Sequence, residues 1–278
     1  MRKKGFAKVI LPPNPSLYEI LDQHFLETGR IQAVEINPLA ILIWDDWETS
    51  DELIDQLKEF FPNIPIERVF VPDQDWNQTW IEGFQPQKIG KIWITPPWHR
   101  DKIPMGEQVV TINPGSAFGT GTHESTRLSL LFLQIYLDSG DHVLDLGCGS
   151  GILAIAAFLL GASSVYACDN DPQIEINIRE NLELNGNPPI QWEVRDVFSL
   201  PSYACDWAMI NIQKPVIFPL LEKFASLPVE KRPKNLILSG LLIDDEKVLE
   251  AYLTNAGYER IQTQIDGEWL AMCATQKT

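Results

Sequence analysis

The residues best suited to bind a ligand lie between positions 142 and 170. Gly147, Gly149 and Gly151 alternate between a short apolar strand and an apolar helix. Such a turn presents bare backbone N–H groups, because glycine allows conformations and close approaches that side chains prevent. Asp169 follows 22 residues after Gly147, at a strand end where a carboxylate can accept both hydroxyls of a ribose. No phosphate-loop lysine follows the glycines, so a triphosphate is disfavoured.

Together these features predict S-adenosylmethionine as the ligand. Its adenosine would lie across the strand ends, and its methionine part would lie near the glycine turn. Asp145, just before the turn, is placed either for the ligand's ammonium or for holding the loop. Asp196, which follows the predicted strand 190–195, would face the adenine amino group or would be an ordinary turn aspartate.

Asn211 is the candidate catalytic residue, because it ends a predicted strand at 206–210. Its side-chain carbonyl and a nearby backbone carbonyl can hold the protons of an amine and aim its lone pair at a methyl donor. A sulfonium is already an activated donor, so positioning would supply most of the catalysis. The amine must be neutral, which is easier for an α-amine of pKa about 7.7–8.0 than for lysine near 10.4. The alternative is that Asn211 only caps the strand end.

A loop of small and hydroxyl residues, 113–126, precedes a predicted apolar helix at 128–137. Gly119 and Gly121 would let its backbone bend over a ligand, while its Ser and Thr side chains offer hydrogen-bond donors. The alternative is a capped helix start after a tight loop.

The elements that must position these residues alternate regularly after residue 142. Strand-like runs lie at 143–146, 164–168, 190–195, 206–210, 235–239, 258–264 and 268–275. Helical patterns lie at 150–160, 172–185, 214–226 and 244–256. Such alternation predicts a doubly wound parallel sheet with its ligand at the carboxyl ends of the strands. Asp266-Gly267 predicts a closing antiparallel hairpin, which fits the seven-stranded class I methyltransferase (Rossmann-like) fold.

The first 71 residues predict a separate small α+β domain. Strand and helix patterns follow the order β-α-β-β-α-β of the ferredoxin-like fold, with helices at 15–28 and 50–61. Residues 45–59 carry seven acidic side chains and one lysine, which indicates either a solvated helix face or a docking surface for a basic protein. Residues 72–104, rich in Trp and Pro, are interpreted as a linker with a short helix at 74–83. The methyltransferase domain would then occupy residues 105–278.

The composition excludes several classes of protein. The formal net charge is −16, which disfavours direct binding of nucleic acid. The chain contains no apolar run long enough to span a membrane, and its amino-terminal sequence lacks the pattern of a signal peptide. The four cysteines are widely spaced, which favours thiols in a reducing cytoplasm over disulfides or a metal site. Nothing signals an oligomer, so we expect a monomer.

Several segments resemble the PrmA family, the bacterial methyltransferases of the eleventh protein of the large ribosomal subunit. These are NPGSAFGTGTHEST (113–126), VLDLGCGSGILAIAA (143–157), CDNDP (168–172), NI (211–212), ILSGLL (237–242) and the Trp-rich stretch 75–98. The resemblance implies methylation of lysine ε-amines and the N-terminal α-amine of a ribosomal protein that binds the front domain.

Residue by residue, the resemblance implies cofactor contacts from Thr126, Gly147, Asp169 and Asn211, and the quoted CDNDP segment adds Asn170. Phe118, Gly119, Thr120 and His123 match the loop that covers substrate and cofactor in that family.

The chain departs from the family at Gln213-Lys214, where the family usually has Leu-Ala. Two alternatives therefore stay open: a methyltransferase of another protein or of a small molecule, and an adaptor that binds the cofactor without activity. The front domain argues against a small substrate, because such enzymes need no docking module.

Overall fold

A computed structural model describes residues 5–12, 33–37, 40–46, 50–72, 84–114, 121 and 123–277. The chain divides into two compact units between Gly83 and Phe84. The helices predicted at 15–28 and 74–83 lie outside the described residues. Among the residues that are described, none of the helices combines the length and the apolar character needed to cross a membrane.

The first unit contains a four-stranded antiparallel sheet and one described helix. Its elements are β1 (Gly5–Leu11), β2 (Ala33–Asn37), β3 (Ala40–Asp46), α1 (Ser50–Phe60) and β4 (Glu67–Pro72). The strand order is β2-β3-β1-β4, which is the order of a ferredoxin-like sheet and agrees with the prediction. Alternate residues of β1, namely Ala7, Val9 and Leu11, are buried against Leu53 and Leu57 of α1, as the two-residue period of a strand requires.

The second unit begins with a small three-stranded sheet, formed by β5 (Gln87–Ile89), β6 (Ile92–Thr95) and β7 (Gln108–Thr111). A turn at Gly90, whose φ of +58° glycine adopts readily, separates β5 from β6. Residues 84–104 therefore belong to the same compact unit as the large sheet, although the sequence was interpreted as a linker up to residue 104.

The remaining strands and helices alternate along the chain, as the sequence predicted. They are α2 (Glu124–Tyr136), β8 (His142–Leu146), α3 (Ile152–Leu159), β9 (Ser164–Asp169), α4 (Ile174–Leu184), β10 (Gln191–Val194), β11 (Cys205–Asn211), α5 (Lys214–Ser226), β12 (Pro233–Leu242), α6 (Glu246–Asn255), β13 (Tyr258–Asp266) and β14 (Trp269–Gln276).

These strands form one seven-stranded sheet in the order β10-β9-β8-β11-β12-β14-β13. The first five pair in parallel, and β14 pairs antiparallel with both β12 and β13. The class I methyltransferase fold predicted from the sequence is therefore confirmed. The carboxyl ends of β8, β9 and β11 lie side by side at one edge, which is where ligands bind in open parallel sheets.

Both faces of this sheet are covered by helices. Alternate residues of β11 face opposite layers, with Trp207 and Met209 packing in one apolar core and Ala208 and Ile210 in the other. Because its central strands are buried on both sides, they read as nearly continuous apolar runs. That property explains why their positions could be predicted closely.

Candidate functional site

A cavity of about 580 Å³ opens at the carboxyl edge of the large sheet. It is lined by segments that are far apart in the sequence: His123, Ser125, Gly147, Cys148, Gly149, Ile152, Leu153, Asp169, Asn211, Ile212, Gln213, Lys214, Pro215, Val216, Gly240, Leu242, Asp245 and Trp269. Its position at the point where the strand order reverses, between β8 and β11, is the usual ligand position of doubly wound sheets.

The glycine turn forms one wall of the cavity. Gly147, Gly149 and Gly151 all have positive φ, at +82°, +49° and +79°. A Cβ at Gly147 would collide with the side chain of Ile212, so only glycine fits where the turn passes the end of β11. The N–H groups of Gly147 and Cys148 both donate to the carbonyl of Cys168, at 2.8 and 3.0 Å. These bonds tie the turn to β9.

Asp169 lines the cavity at the end of β9 and also holds the turn. Its Oδ2 accepts a hydrogen bond from the Gly149 N–H at 2.9 Å, and its Oδ1 accepts one from the Asp171 N–H at 3.1 Å. A carboxylate oxygen has more than one lone-pair site, so Asp169 retains acceptor capacity for two hydroxyl groups. The carboxylate is thus oriented by the protein before any ligand binds.

Asp145 is buried beneath the turn and does not line the cavity. Its Oδ2 accepts from the Ala154 N–H in the first turn of α3 at 3.0 Å. Burial raises the pKa of its carboxyl group to about 7. Within the described part of the chain its Oδ1 has no hydrogen-bond partner. Of the two roles predicted for Asp145, this geometry favours holding the loop.

Asn211 is buried at the end of β11 and lines the cavity. Its Nδ2 donates to the Oγ1 of Thr126 at 3.3 Å, which orients the amide. Its Oδ1 is buried and has no partner among the described residues. An unsatisfied buried carbonyl oxygen costs about 1–3 kcal/mol, so this oxygen is a ready acceptor for an N–H group in the cavity. Thr126 itself is fully buried behind Asn211 and does not line the cavity.

The start of α2 is fixed by His123 and Ser125. The His123 Nδ1 accepts from the Ser125 N–H at 3.2 Å, and its ring packs edge-on against Trp269 with centroids 4.5 Å apart. The Ser125 carbonyl accepts hydrogen bonds from the hydroxyls of Ser129 and Ser239, both at 3.0 Å. These bonds join the loop end to β12. Phe118, Gly119 and Thr120 lie outside the described residues.

Three other predicted residues lie away from the cavity wall. Gly151 is the N-cap of α3, and Asn170 is exposed beyond Asp169. Asp196 is also exposed, and its Oδ1 accepts from the Phe198 N–H at 2.9 Å. That bond caps a short 3₁₀ turn, which is the turn role that the sequence left open for Asp196.

Asparagines in α4 and at its C-cap connect the glycine turn to the segment that leads into the loop. The Asn185 side chain bonds both backbone groups of Thr111, at 2.9 and 2.6 Å. One turn earlier, the fully buried Asn181 accepts from the Asn113 N–H at 2.7 Å and donates to the Ser150 carbonyl at 2.9 Å. Asn181 therefore holds both functional segments at once.

Sequence reasoning missed the roles of Asn181 and Asn185, and it missed the far wall of the cavity. Together with Asn177, these two asparagines recur every four residues along one side of α4 and its C-cap, and that spacing was a usable signal. Gly240 inside an apolar strand was another, because such a glycine often marks a bulge or a close backbone approach. The structure has both: the register shifts between Leu238 and Leu241, and a Cβ at Gly240 would collide with the Ile212 carbonyl.

The residues that line the cavity fit S-adenosylmethionine. Asp169 suits the ribose, the glycine turn leaves room for close approach, and Ile152 and Leu153 supply apolar contact. Of the described residues that line the cavity, none on the side of the glycine turn is a lysine, whereas a nucleoside triphosphate would need a cation there. Among the described residues no group of His, Cys, Asp and Glu side chains is arranged to hold a metal ion.

Comparison with known proteins gives one consistent result. The family model for "Ribosomal protein L11 methyltransferase (PrmA)" matches residues 19–277. A ribosomal protein L11 methyltransferase of Thermoanaerobacter pseudethanolicus is 33% identical over 100% of this chain and 93% of its own length. One from Pseudomonas paraeruginosa is 42% identical over 66% of this chain, and that match spans 62% of the relative.

A solved structure gives the same result for the fold. The crystal structure of a ribosomal protein L11 methylase from Lactobacillus delbrueckii subsp. bulgaricus superimposes with a TM-score of 0.63 at 27% identity. The match covers 70% of this chain and 100% of the other.

Proposed function

The chain belongs to the family of ribosomal protein L11 methyltransferases, and on that premise we propose that it methylates amino groups of a large-subunit ribosomal protein, L11. The cofactor is S-adenosylmethionine, as the sequence predicted. The observation that carries the proposal is the buried Oδ1 of Asn211, an acceptor that no described residue satisfies. It lies in the wall of the same cavity as Asp169 and the glycine turn.

In this proposal the cofactor half of the cavity is built by the glycine turn and Asp169. Asp169 binds the ribose hydroxyls with the lone pairs that its bonds to Gly149 and Asp171 leave available. When bound, the cofactor would supply a methyl group on a sulfonium. That methyl group would pass directly to the amine nitrogen as the S–CH₃ bond breaks and the neutral thioether leaves, without a covalent enzyme intermediate. Asp145 supports the turn from beneath, and Asp196 contacts the adenine amino group only if its exposed side chain turns toward the cavity.

Asn211 positions the acceptor amine. Its Oδ1 accepts one N–H, which directs the nitrogen lone pair toward the donor, and the bond to Thr126 keeps the amide in that orientation. Fixing the angle and distance of attack is worth more here than acid–base chemistry, because the donor is already activated. The amine must reach the site neutral, and the apolar walls favour its neutral form because they desolvate a charge.

The first unit is proposed as the docking module for the protein substrate. The exposed face of α1 carries Asp51, Glu52, Asp55 and Glu59. A negative helix face attracts a basic ribosomal protein and raises its association rate. Removing residues 1–71 should therefore leave cofactor binding intact and abolish methylation of the protein. Full activity of the shortened chain would show that docking lies elsewhere.

The proposal is tested by incubating the protein with methyl-labelled cofactor and either intact large subunits or their separated proteins. Label in L11 alone, followed by peptide mapping of the modified amines, is the expected result. Label in a different protein or a small molecule would identify another substrate. Cofactor binding without any transfer would favour the inactive adaptor, for which Gln213-Lys214 is the sequence support.

A variant separates the cofactor assignment from the substrate assignment. Asp169→Ala should weaken cofactor binding at least tenfold, since it removes the ribose acceptor and the bond to Gly149; a tenfold change is about 1.4 kcal/mol. Unchanged affinity, measured by calorimetry, would contradict the ribose role.

The four buried, free thiols support a reducing compartment, and we propose a monomer that works in the cytoplasm.

A further inference from the structure

The cavity has a second half that the cofactor assignment leaves unexplained. The glycine turn and Asp169 belong to β8 and β9, on one side of Asn211. The opposite wall comes from the ends of β11, β12 and β14 and includes Lys214, Leu242, Asp245 and Trp269. With the cofactor over β8 and β9, this opposite half is the one that faces the acceptor.

An ion pair crosses this acceptor half. The Lys214 Nζ lies 2.9 Å from the Asp245 Oδ1. Lys214 is the first residue of α5, and Asp245 ends the 3₁₀ turn that follows β12. Among the described residues no other cation lies within ion-pair distance of Asp245. The pair therefore joins two elements across the cavity rather than neighbours on one helix.

The two partners differ in their exposure, and this decides which of them can be replaced. The Lys214 side chain is 53% exposed, whereas that of Asp245 is 13% exposed. The Asp245 Oδ2 also accepts from the Leu242 N–H at 3.2 Å, so the carboxylate is held in place. A mostly buried carboxylate is stabilised by a cation beside it, and a second cation can take the place of Lys214. Lys214 can swing into solvent at little cost, because long exposed side chains in surface pairs gain little from the pairing.

We propose that Asp245 is the docking carboxylate for a cationic side chain of the acceptor segment, and that Lys214 occupies this position until the acceptor displaces it. This deepens the proposed function and rests on it. The unpartnered Asn211 Oδ1 in the same cavity takes the target amine, while Asp245 takes a lysine or arginine side chain near that amine. Trp269 and Leu242 line the space beside Asp245 and suit the apolar stem of such a side chain.

Steady-state kinetics with purified L11 tests this assignment. Asp245→Asn keeps an oxygen for the Leu242 N–H and removes the charge. It should raise KM for L11 about tenfold, in the range measured for close interfacial charge pairs, with kcat changed less than about twofold and the Kd for S-adenosylmethionine unchanged. Lys214→Met removes the competing cation and should lower KM about two- to fivefold.

The opposite signs of the two single variants distinguish docking from a purely structural ion pair, because loss of a structural pair would raise KM in both. The double variant then shows that the effect of Lys214 acts through Asp245. In the Asp245→Asn background, Lys214→Met should no longer change KM. Thermal unfolding of each variant shows that it is folded. The control is Lys234→Met, which breaks a similar pair between Lys234 and Asp206 at 2.7 Å, near the starts of β12 and β11 and outside the cavity. It should leave KM unaltered.

Two results overturn the inference while leaving the proposed function intact. One is normal methylation of L11 by the wild-type protein with an unchanged KM in Asp245→Asn. The other is a weaker Kd for S-adenosylmethionine in Lys214→Met, which would assign Lys214 to the cofactor instead. Absence of any transfer to L11 by the wild-type protein would instead refute the proposed function, and the inference with it.

Discussion

Asn181 offers the sharpest test of how the site is held together, because one buried side chain bonds both functional segments. Asn181→Ala removes an acceptor from the Asn113 N–H at 2.7 Å and a donor from the Ser150 carbonyl at 2.9 Å. Each lost bond costs about 1 kcal/mol net, and more where the partner stays buried and unpaired. We therefore expect a loss of about 2–4 kcal/mol in the free energy of unfolding.

The substitution should also weaken cofactor binding, because Ser150 lies inside the glycine turn. Losing the one bond that reaches the turn should raise the Kd for S-adenosylmethionine about tenfold, equivalent to about 1.4 kcal/mol. In a domain of this size the midpoint of thermal unfolding should fall by roughly 5–15 °C. Calorimetry measures the Kd, and circular dichroism measures the midpoint.

Asn185→Ala is the matched control. Asn185 lies one helical turn later, and its side chain makes three hydrogen bonds to the backbone, two with Thr111 and one to the Asn181 carbonyl. None of these three bonds reaches the glycine turn. Its loss of stability should be similar, while its Kd for the cofactor should stay within about twofold of the wild-type value. Equal weakening of cofactor binding in both variants would refute the argument that Asn181 couples the two segments.

Three further predictions follow from the site. Asn211→Ala should lower kcat about 100-fold or more with little change in cofactor Kd, as removal of a single positioning group does elsewhere; single-turnover transfer measures it, and unaltered kcat would remove Asn211 from the mechanism. Because the folded pKa of Asp145 is raised from 3.8 to about 7, the folded state binds its proton more tightly than the unfolded state. The free energy of unfolding should therefore decrease as the pH rises from 4 to 7, by at most about 1.4 kcal/mol per pH unit. Urea unfolding of Asp145→Asn should show a weaker dependence of that free energy on pH. Gly240→Ala should reduce kcat at least tenfold, since its Cβ would push on the Ile212 carbonyl. A Cβ at Gly267, whose φ is also positive, would meet only the Glu124 Cγ at 4.0 Å, so Gly267→Ala should retain activity; equal losses of kcat in the two variants would mean that backbone strain alone is responsible.

The sequence predicted the centre of the large sheet well because the central strands are buried on both faces. Such strands are marked by continuous apolar runs, and turns bound them on each side. Helix α2 begins at Glu124, four residues before the predicted apolar run, because its N-cap is His123. Histidine is not among the usual capping residues, so composition gave no sign of the true start.

Strand β12 was also predicted too short, for a different reason. It runs from Pro233 to Leu242, whereas the apolar pattern predicted only 235–239. Its extension depends on the bulge at Gly240 and on pairing with β14, where Leu242 lies opposite Trp269. Pairing between segments that far apart leaves no local trace in either one, so the sequence could not place Leu242, Asp245 and Trp269 in the cavity.

The two halves of the cavity therefore differ in how they are encoded. The cofactor half is built almost entirely from one continuous stretch, from β8 to the end of β9, and a short motif identifies it. The acceptor half is assembled from the ends of β11, β12 and β14, which only the sheet topology brings together. A change at Lys214 or Asp245 thus alters the acceptor half without touching Gly147 or Asp169. For this reason the departure from the family at Gln213-Lys214 should affect acceptor recognition and leave cofactor binding unaffected.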